Sequence, residues 1–368
     1  MNNTEEFIQK LKSPTNYKEL QEQIIIWKRS PEILYELYTS LDNAMEEHGI
    51  EENAIKHKKE LIFRSLAITL GQDNINYSFK LVRKYVHSLD LRTIASMLAY
   101  QDKKDLIDQV DIYDDNSALH GFYWMILQEL VIRKELFFGD KRLDKIAEKL
   151  GKSKLSNLPL QLTTIETKLY SINFSYYSYG RPTPLFNNQV PIDYTEKEAS
   201  SNMNIELMIE PFLKKQCLSV LNDWTLNSHG KAEFRCGKMN RPEIPIEEII
   251  GTLYQAEFEE KTILKIAQAT PSRIFSMLYS TASNGGAYSR GELGAYGRLK
   301  AWYSFLGMCG IPFEKNNITS IIHELDNFVW FEFISNTWFY RQLSWDIGIV
   351  CIHIDTNKVY SIIGTDSD

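Results

Sequence analysis

"GIVCIHIDTNKVYSII", Gly348 to Ile363, is the stretch on which the fold class turns. Apolar residues alternate with others on both sides of the short polar segment Asp355-Thr356-Asn357-Lys358, the pattern of two strands closed by a tight turn. Asn357 suits the left-handed backbone that such a turn requires, because its short amide tolerates that conformation. Just upstream, "FVWFEFI", Phe328 to Ile334, alternates in the same way and is read as a further strand. The C-terminal part of the chain therefore carries antiparallel β-structure.

Elsewhere the periodicity is helical. Ser30-Pro31-Glu32 is a start signal: a capping hydroxyl, a proline at the first helical position and an acid in the first turn. Ile33, Leu34, Leu37, Tyr38 and Leu41 then recur at helical spacing, leaving Glu32, Glu36 and Ser40 for water. Further helices are expected over Glu52 to Leu70, Ile75 to Ser88, Leu91 to Tyr100 with Asp90 as its cap, and Ser117 to Phe138. The last carries "FYWMILQELVI", apolar on nearly all sides, and is read as central. The predicted fold class is α+β, predominantly α. Residues 1–150 form a helical array, either a bundle or a HEAT-like solenoid. Residues 151–204 are an irregular linker broken by prolines, with one possible strand in the tyrosine-rich Thr167 to Pro184. Residues 205–368 are a mixed α/β domain ending in the hairpin. In that domain helices are expected at Phe212 to Leu226, Pro245 to Tyr254, Glu260 to Ala269, Ser272 to Thr281 and near Asn317 to Leu325, and a strand at Lys231 to Met239.

Composition excludes several function classes. With 43% hydrophobic and 24% charged residues, this 368-residue chain reads as an ordinary folded protein. A formal net charge of -7 argues against nucleic-acid binding through a generally basic surface. Lys56, Lys58, Lys59 and Arg64 with Lys80, Arg83 and Lys84 are read as solvated helix faces, and nucleic acid is not an expected partner. The four cysteines, Cys217, Cys236, Cys309 and Cys351, lie far apart and form no C-x-x-C, so they are read as buried free thiols. His48, His57, His87 and His353 lack the spacing of a metal site, and neither metal nor cofactor is expected. The amino terminus lacks the positive start and apolar stretch of a signal peptide, and no apolar run of about 18 residues is present for a membrane span. A cytoplasmic protein with no membrane partner is the expectation.

The unusual segment is "SNGGAYSRGELGAYGRLKAW", Ser283 to Trp302, with five glycines. It contains neither G-x-G-x-x-G nor G-x-x-x-x-G-K-[ST], and the residues before it read as helix rather than strand, so dinucleotide and P-loop readings fail. It does contain a near-repeat: Gly286-Ala287-Tyr288-Ser289-Arg290 and Gly294-Ala295-Tyr296-Gly297-Arg298. A turn around Ser283 to Gly286 leading into a helix from about Glu292 to Met308 is expected. Gly291, Gly294 and Gly297 would then form a smooth stripe for close packing. Arg290 and Arg298 can hold a carboxylate or phosphate bidentately, or pair with Glu233, Glu292 or Glu324 inside the protein. A second constellation, "DWTLNSHGKAEFRCGK", brings together Asp223, Ser228, His229, Glu233 and Arg235. A Ser-His-acid triad is not supported, because Ser228 and His229 are adjacent and no G-x-S-x-G elbow surrounds the serine. In a strand, Glu233 and Arg235 share one face.

These two stretches together resemble an uncharacterised bacterial family, a domain of unknown function. Its members show a Trp-x-x-Ser-x-Gly-x-x-Glu-x-Arg type stretch and an Asn-Gly-Gly-Ala-Tyr…Gly-Ala-Tyr-Gly-Arg-Leu-x-Ala-Trp core. The matching positions here are Trp224, Ser228, Gly230, Glu233 and Arg235, at approximate spacing, then Asn284 to Tyr288 and Gly294 to Trp302. The motif carries no activity with it, so the resemblance implies bacterial cytosolic origin and little more. The candidate ligand-binding residues are Glu233, Arg235, Asn284, Tyr288, Arg290, Tyr296, Arg298 and Trp302, with no catalytic residue assigned. The favoured expectation is a non-catalytic interaction protein that binds a protein partner, as components of toxin-immunity and defence systems do. The alternative is a small-molecule site, for an anionic ligand or an enzymatic reaction, around Glu233, Arg290 and Arg298.

Overall fold

Pro31 opens a long helix at its first position, where the fixed φ of proline suits it. In a computed structural model, residues 22, 24–27, 30–48, 52–110, 116–134, 141–166, 193–201, 204–259, 261–337 and 345–366 are described. The chain divides into two compact units: Met1–Leu130 with Gly139–Lys152, and Val131–Phe138 with Ser153–Asp368.

The first unit is helical. Its elements are α1 (Pro31–His48), α2 (Glu52–Ile68), α3 (Gln72–Tyr85), α4 (Leu91–Leu98), α5 (Lys103–Asp108), α6 (Ser117–Ile132) and α7 (Lys141–Leu150). Helix α1 packs on both α2 and α3, α2 on α4, and α3 on α5. Leu34, Leu37, Tyr38 and Leu41 of α1 are buried, the stripe read from the sequence. The side chain of Asp90 accepts from Thr93 N and caps α4; Asp102 accepts from Lys104 N and Asp105 N and caps α5. In α6, Phe122, Tyr123, Ile126, Leu127 and Leu130 are all fully buried, and Phe122 and Tyr123 meet the Phe79 ring of α3. The buried Gln101 side chain donates to Ala67 O and Thr69 O at 2.7 and 2.6 Å, satisfying carbonyls that the end of α2 leaves open.

The second unit is built on a seven-stranded sheet in the order β1-β4-β5-β6-β7-β3-β2, every neighbouring pair antiparallel. The strands are β1 (Thr195–Glu198), β2 (Ile205–Met208), β3 (Lys231–Met239), β4 (Ile263–Ala269), β5 (Phe328–Ser335), β6 (Asp346–His353) and β7 (Lys358–Thr365). Asn357 sits at φ 54° in the β6–β7 turn, the conformation its side chain suits. Against one face lies α10 (Ile246–Leu253), with Ile249, Ile250, Leu253 and Tyr254 meeting Ile266, Phe333, Val350, Val359 and Ile363 of the sheet. The other face receives α11 (Pro271–Asn284) and α12 (Leu293–Met308), with Phe305 stacked on Trp330 at 4.8 Å. α8 (Pro211–Cys217), a 3-10 turn at Leu218–Leu221 and α9 (Asn222–Asn227) pack beside them, and α13 (Lys315–His323) follows α12.

Two expectations are corrected. The predicted helix over Glu260 to Ala269 is strand β4: Leu264 and Ile266 are buried while Ile263, Lys265 and Gln268 are exposed. The period of two wins because β4 is sandwiched between β1 and β5, where its alternate residues enter the core. The single helix expected over Phe212 to Leu226 is broken into three short pieces. The intervening 3-10 turn lets Ser219 Oγ and Val220 N reach the Ser304 hydroxyl at 3.1 and 3.3 Å. Within 151–204, residues 153–166 belong to the second unit through two 3-10 turns, and β1 is an edge of its sheet. The tyrosine-rich Thr167 to Pro184 lies outside the described residues.

Candidate functional site

The glycine-rich segment is a loop between two closely crossing helices. α11 starts on Thr270, whose hydroxyl accepts from Arg273 N, and on Pro271; it ends where Gly285 turns to φ 71°. Gly291 is also left-handed, at φ 71°, so it lies in the loop and not on the helical stripe expected for it. Gly297 does lie on α12, and there the expected reason holds. A Cβ on it would sit 2.3 Å from Ser283 Oγ of α11, so only glycine lets these backbones approach this closely.

Five of the loop's amides are filled from within the protein. Ala287 N donates to Asp366 Oδ2 at 2.7 Å, and Gly291 N to Asp223 Oδ2 at 3.0 Å. Gly286 N donates to Ser289 Oγ, Tyr288 N to Ser228 Oγ, and Glu292 N to Ala282 O. A Cβ on Gly286 would collide with Asp366 Oδ2, so this glycine makes room for a carboxylate. Successive backbone amides form an anion-binding concavity, and here the anions are Asp223 and Asp366. Neither aspartate was among the candidate residues. Asp223 stood in a quoted motif, but nothing in the sequence marks Asp366 as a neighbour of residue 287.

The repeat's two arginines have different fates. Arg298 is fully buried: Nε donates to Glu166 Oε1 at 2.6 Å, one terminal nitrogen to Glu166 Oε2 at 3.0 Å and Gln161 O at 2.9 Å, and the other to Pro159 O at 2.9 Å. Trp302, one turn further along α12, donates its indole N–H to Glu166 Oε1 at 3.0 Å. The partner of Arg298 is thus Glu166, rather than Glu233, Glu292 or Glu324. Four of the Arg298 N–H donors are closed on a buried carboxylate and two carbonyls, and with the side chain fully buried none of these faces an external anion. Arg290 and Tyr288 are exposed on the loop, with the Tyr288 ring edge-on to His229 at 5.3 Å; Asn284 and Tyr296 are half-buried.

Glu233 and Arg235 do share a face of β3, and it is the face covered by α10. One Arg235 terminal nitrogen meets Glu233 Oε2 at 2.8 Å and the other meets Glu257 Oε1 at 2.5 Å. Burial opposes the guanidinium charge, and the Glu257 and Glu233 carboxylates outweigh that, raising its pKa. Directly across on β7, Ser361 accepts from Tyr254 OH at 2.9 Å and donates to Ile349 O. Arg298 and Trp302 lie across the sheet, on the face where Trp302 packs edge-on to Phe305, itself stacked on Trp330. The structure therefore does not bring Glu233 together with Arg298. The chain belongs to DUF6183, a family of unknown function. The family's model matches residues 18–368, taking in the helical unit as well as the stretches on which the resemblance rests. No curated protein and no solved structure matches the chain.

All four cysteines are buried and free. Burial pushes the Cys236 thiol up to about 11, and Cys217 and Cys351 are also raised by burial and by neighbouring thiols, Cys309 foremost. Such thiols are poor nucleophiles and behave as small core residues. Among the described residues no cluster of histidine, cysteine and acid is arranged to hold a metal ion, and no helix is long and apolar enough to cross a membrane.

A further feature stands at one edge of the sheet. Leu207 of β2 is 57% exposed, and Ile209 and Phe212 just beyond it are 91% and 65% exposed. The opposite edge, β1, reads Thr195-Glu196-Lys197-Glu198, every residue exposed, with Glu196 paired to Lys265 at 3.2 Å. Charged edges of this kind are how sheets refuse another strand. β2 carries a single charge, Glu206, on an otherwise apolar strand.

Proposed function

We propose that this family member acts by binding a protein partner rather than by catalysis, and that the contact runs through β2 and the segment to Phe212. The observation that carries the reading is the contrast between the two sheet edges: one charged, the other presenting Leu207, Ile209 and Phe212 to solvent. Exposed apolar groups beside a bare strand edge are a template for strand addition. The internal closure of Arg298 and of five loop amides supports the non-catalytic side of the proposal, since these groups, which could have held an anion, are used in the fold. Immunity and defence components, which work by partner capture, fit the same description.

A photo-crosslinking residue placed at Ile209 should capture protein in cells of the native host, whereas the same residue at Glu196 on the opposite edge should not. Capture at neither position, or at both equally, would overturn the reading. A second reading keeps Glu233 and Arg235, now joined by Glu257 and without Arg290 or Arg298, as a small-molecule site. It is favoured by Glu257 Oε2, which is buried and receives no hydrogen bond, so a ligand donor would complete it. A compound that protects the wild type from thermal unfolding but not the Glu257→Ala variant would support it; equal protection of both would not.

A further inference from the structure

The open edge of β2 carries a self-complementary pattern. In the β2–β3 ladder, Asn240 N donates to Asn204 O, and Ile205, Glu206, Leu207 and Met208 stand across from Met239, Lys238, Gly237 and Cys236. Because inward and outward hydrogen-bonding residues alternate along an antiparallel strand, Glu206 and Met208 turn their backbone groups to β3. Ile205, Leu207 and Ile209 turn theirs outward, where among the described residues no strand takes them.

We propose that the partner is a second copy of this chain, with β2 paired antiparallel to β2 of that copy about a two-fold axis at Leu207, fusing two sheets into one. This rests on the reading of β2 as an interaction edge. A two-fold axis normal to the sheet keeps each face continuous, so residues on one face must meet residues of the same face, which restricts the axis to a residue position. Centring it on Glu206 sets Glu206 against itself; centring it on Met208 sets Glu206 against Glu210. Centring it on Leu207 sets Leu207 against Leu207, Ile205 against Ile209 and Glu206 against Met208, with no like charges opposed. Pro211 closes the register two residues beyond Ile209, since it has no N–H to donate. Pairing β2 with β1 of another copy would instead lay apolar side chains against Glu196, Lys197 and Glu198, and its head-to-tail geometry would not close.

A strand pair this short belongs to the small class of interfaces, so association is expected to depend on concentration over roughly 1–100 µM. Sedimentation equilibrium of the purified full chain tests it. The wild type should pass from monomer to dimer across that range, and Leu207→Lys should weaken the dimer by roughly ten-fold or more while leaving circular dichroism and the melting temperature unchanged. Met208→Lys discriminates the register: it sets a lysine against Glu206 of the second copy and should tighten the dimer several-fold, whereas an axis on Met208 would set lysine against lysine and loosen it. A wild type that stays monomeric, a Leu207→Lys variant that dimerises as before, or a Met208→Lys variant that dimerises less would each overturn the proposal. The crosslink at Ile209 separates the two readings. A product containing a different protein, with a monomeric purified chain, ends the second-copy proposal and keeps the interaction edge; no product and no dimer end both.

Discussion

Replacing Glu166 by alanine removes the carboxylate that forks with Arg298, whose side chain is 0% exposed. The guanidinium keeps its two carbonyl acceptors, Pro159 O and Gln161 O, but its charge is left uncompensated, and the Trp302 indole N–H loses its acceptor. Breaking a buried ion pair from one side costs about 3–5 kcal/mol. For a unit of this size each kcal/mol moves the melting temperature by roughly 2–4 °C, so a fall of roughly 6–20 °C is expected. Arg298→Met alone should cost a similar amount, because it leaves the Glu166 carboxylate buried without its countercharge, beside the Trp302 indole N–H and Thr163 N. The double variant Glu166→Leu with Arg298→Met removes both charges and should cost much less than the sum, since apolar replacement of a whole buried pair is often close to neutral. Urea unfolding followed by tryptophan fluorescence gives all three free energies, and Trp302 reports directly on the site. A single-variant loss below about 1 kcal/mol, or a double variant whose loss equals the sum of the singles, would refute the claim that these residues act as one buried unit.

The packing and thiol predictions are independent of that pair. Gly297→Ala should destabilise by about 1–3 kcal/mol although alanine is the better helix former by about 1 kcal/mol, because the new methyl meets Ser283. Adding Ser283→Gly should restore part of the loss, and no recovery would show that the α11–α12 crossing is not the cause. The Cys236 thiol is raised from 9.0 to about 11, so the folded state holds a proton that the unfolded state releases. Its contribution is constant below pH 9 and stability falls as pH rises from 9 to 11, a fall that Cys236→Ala should make shallower in denaturation curves. Thiol titration with a disulfide reagent at pH 8 should be slow for all four cysteines when folded and complete on denaturation; rapid labelling of the folded chain would contradict their burial.

What the sequence disclosed followed from local chemistry. The β6–β7 hairpin, the Ser30-Pro31 helix start and the cap at Asp90 are all set within a few residues. The strand over Lys231 to Met239 and the pairing of Glu233 with Arg235 follow from a period of two along one element. The misread strand β4 is a short apolar run whose period becomes decisive only when β1 and β5 flank it. The contacts that decide the site are long-range. Arg298 meets Glu166 across 132 residues, and Ala287 meets Asp366 across 79. No spacing rule connects such positions, so the sequence could present Arg298 and Arg290 as equivalent while the fold buries one and exposes the other.

That division bears on what the glycine-rich core is for. A glycine loop that bound a mobile anion would keep its amides open to solvent, yet here Asp223 and Asp366 reach them from α9 and from the end of β7, while Glu166 reaches Arg298 from a 3-10 turn. Three acids from three distant segments converge on one helix–loop–helix, so the core ties the ends of the unit together. That role needs glycine where carboxylates and helices must approach, and arginine and tryptophan at i and i+4 where one glutamate must satisfy both. A motif built in this way marks the architecture of the unit. Function must then be sought where side chains are exposed against the usual rules of a stable sheet, and β2 is the edge that breaks them.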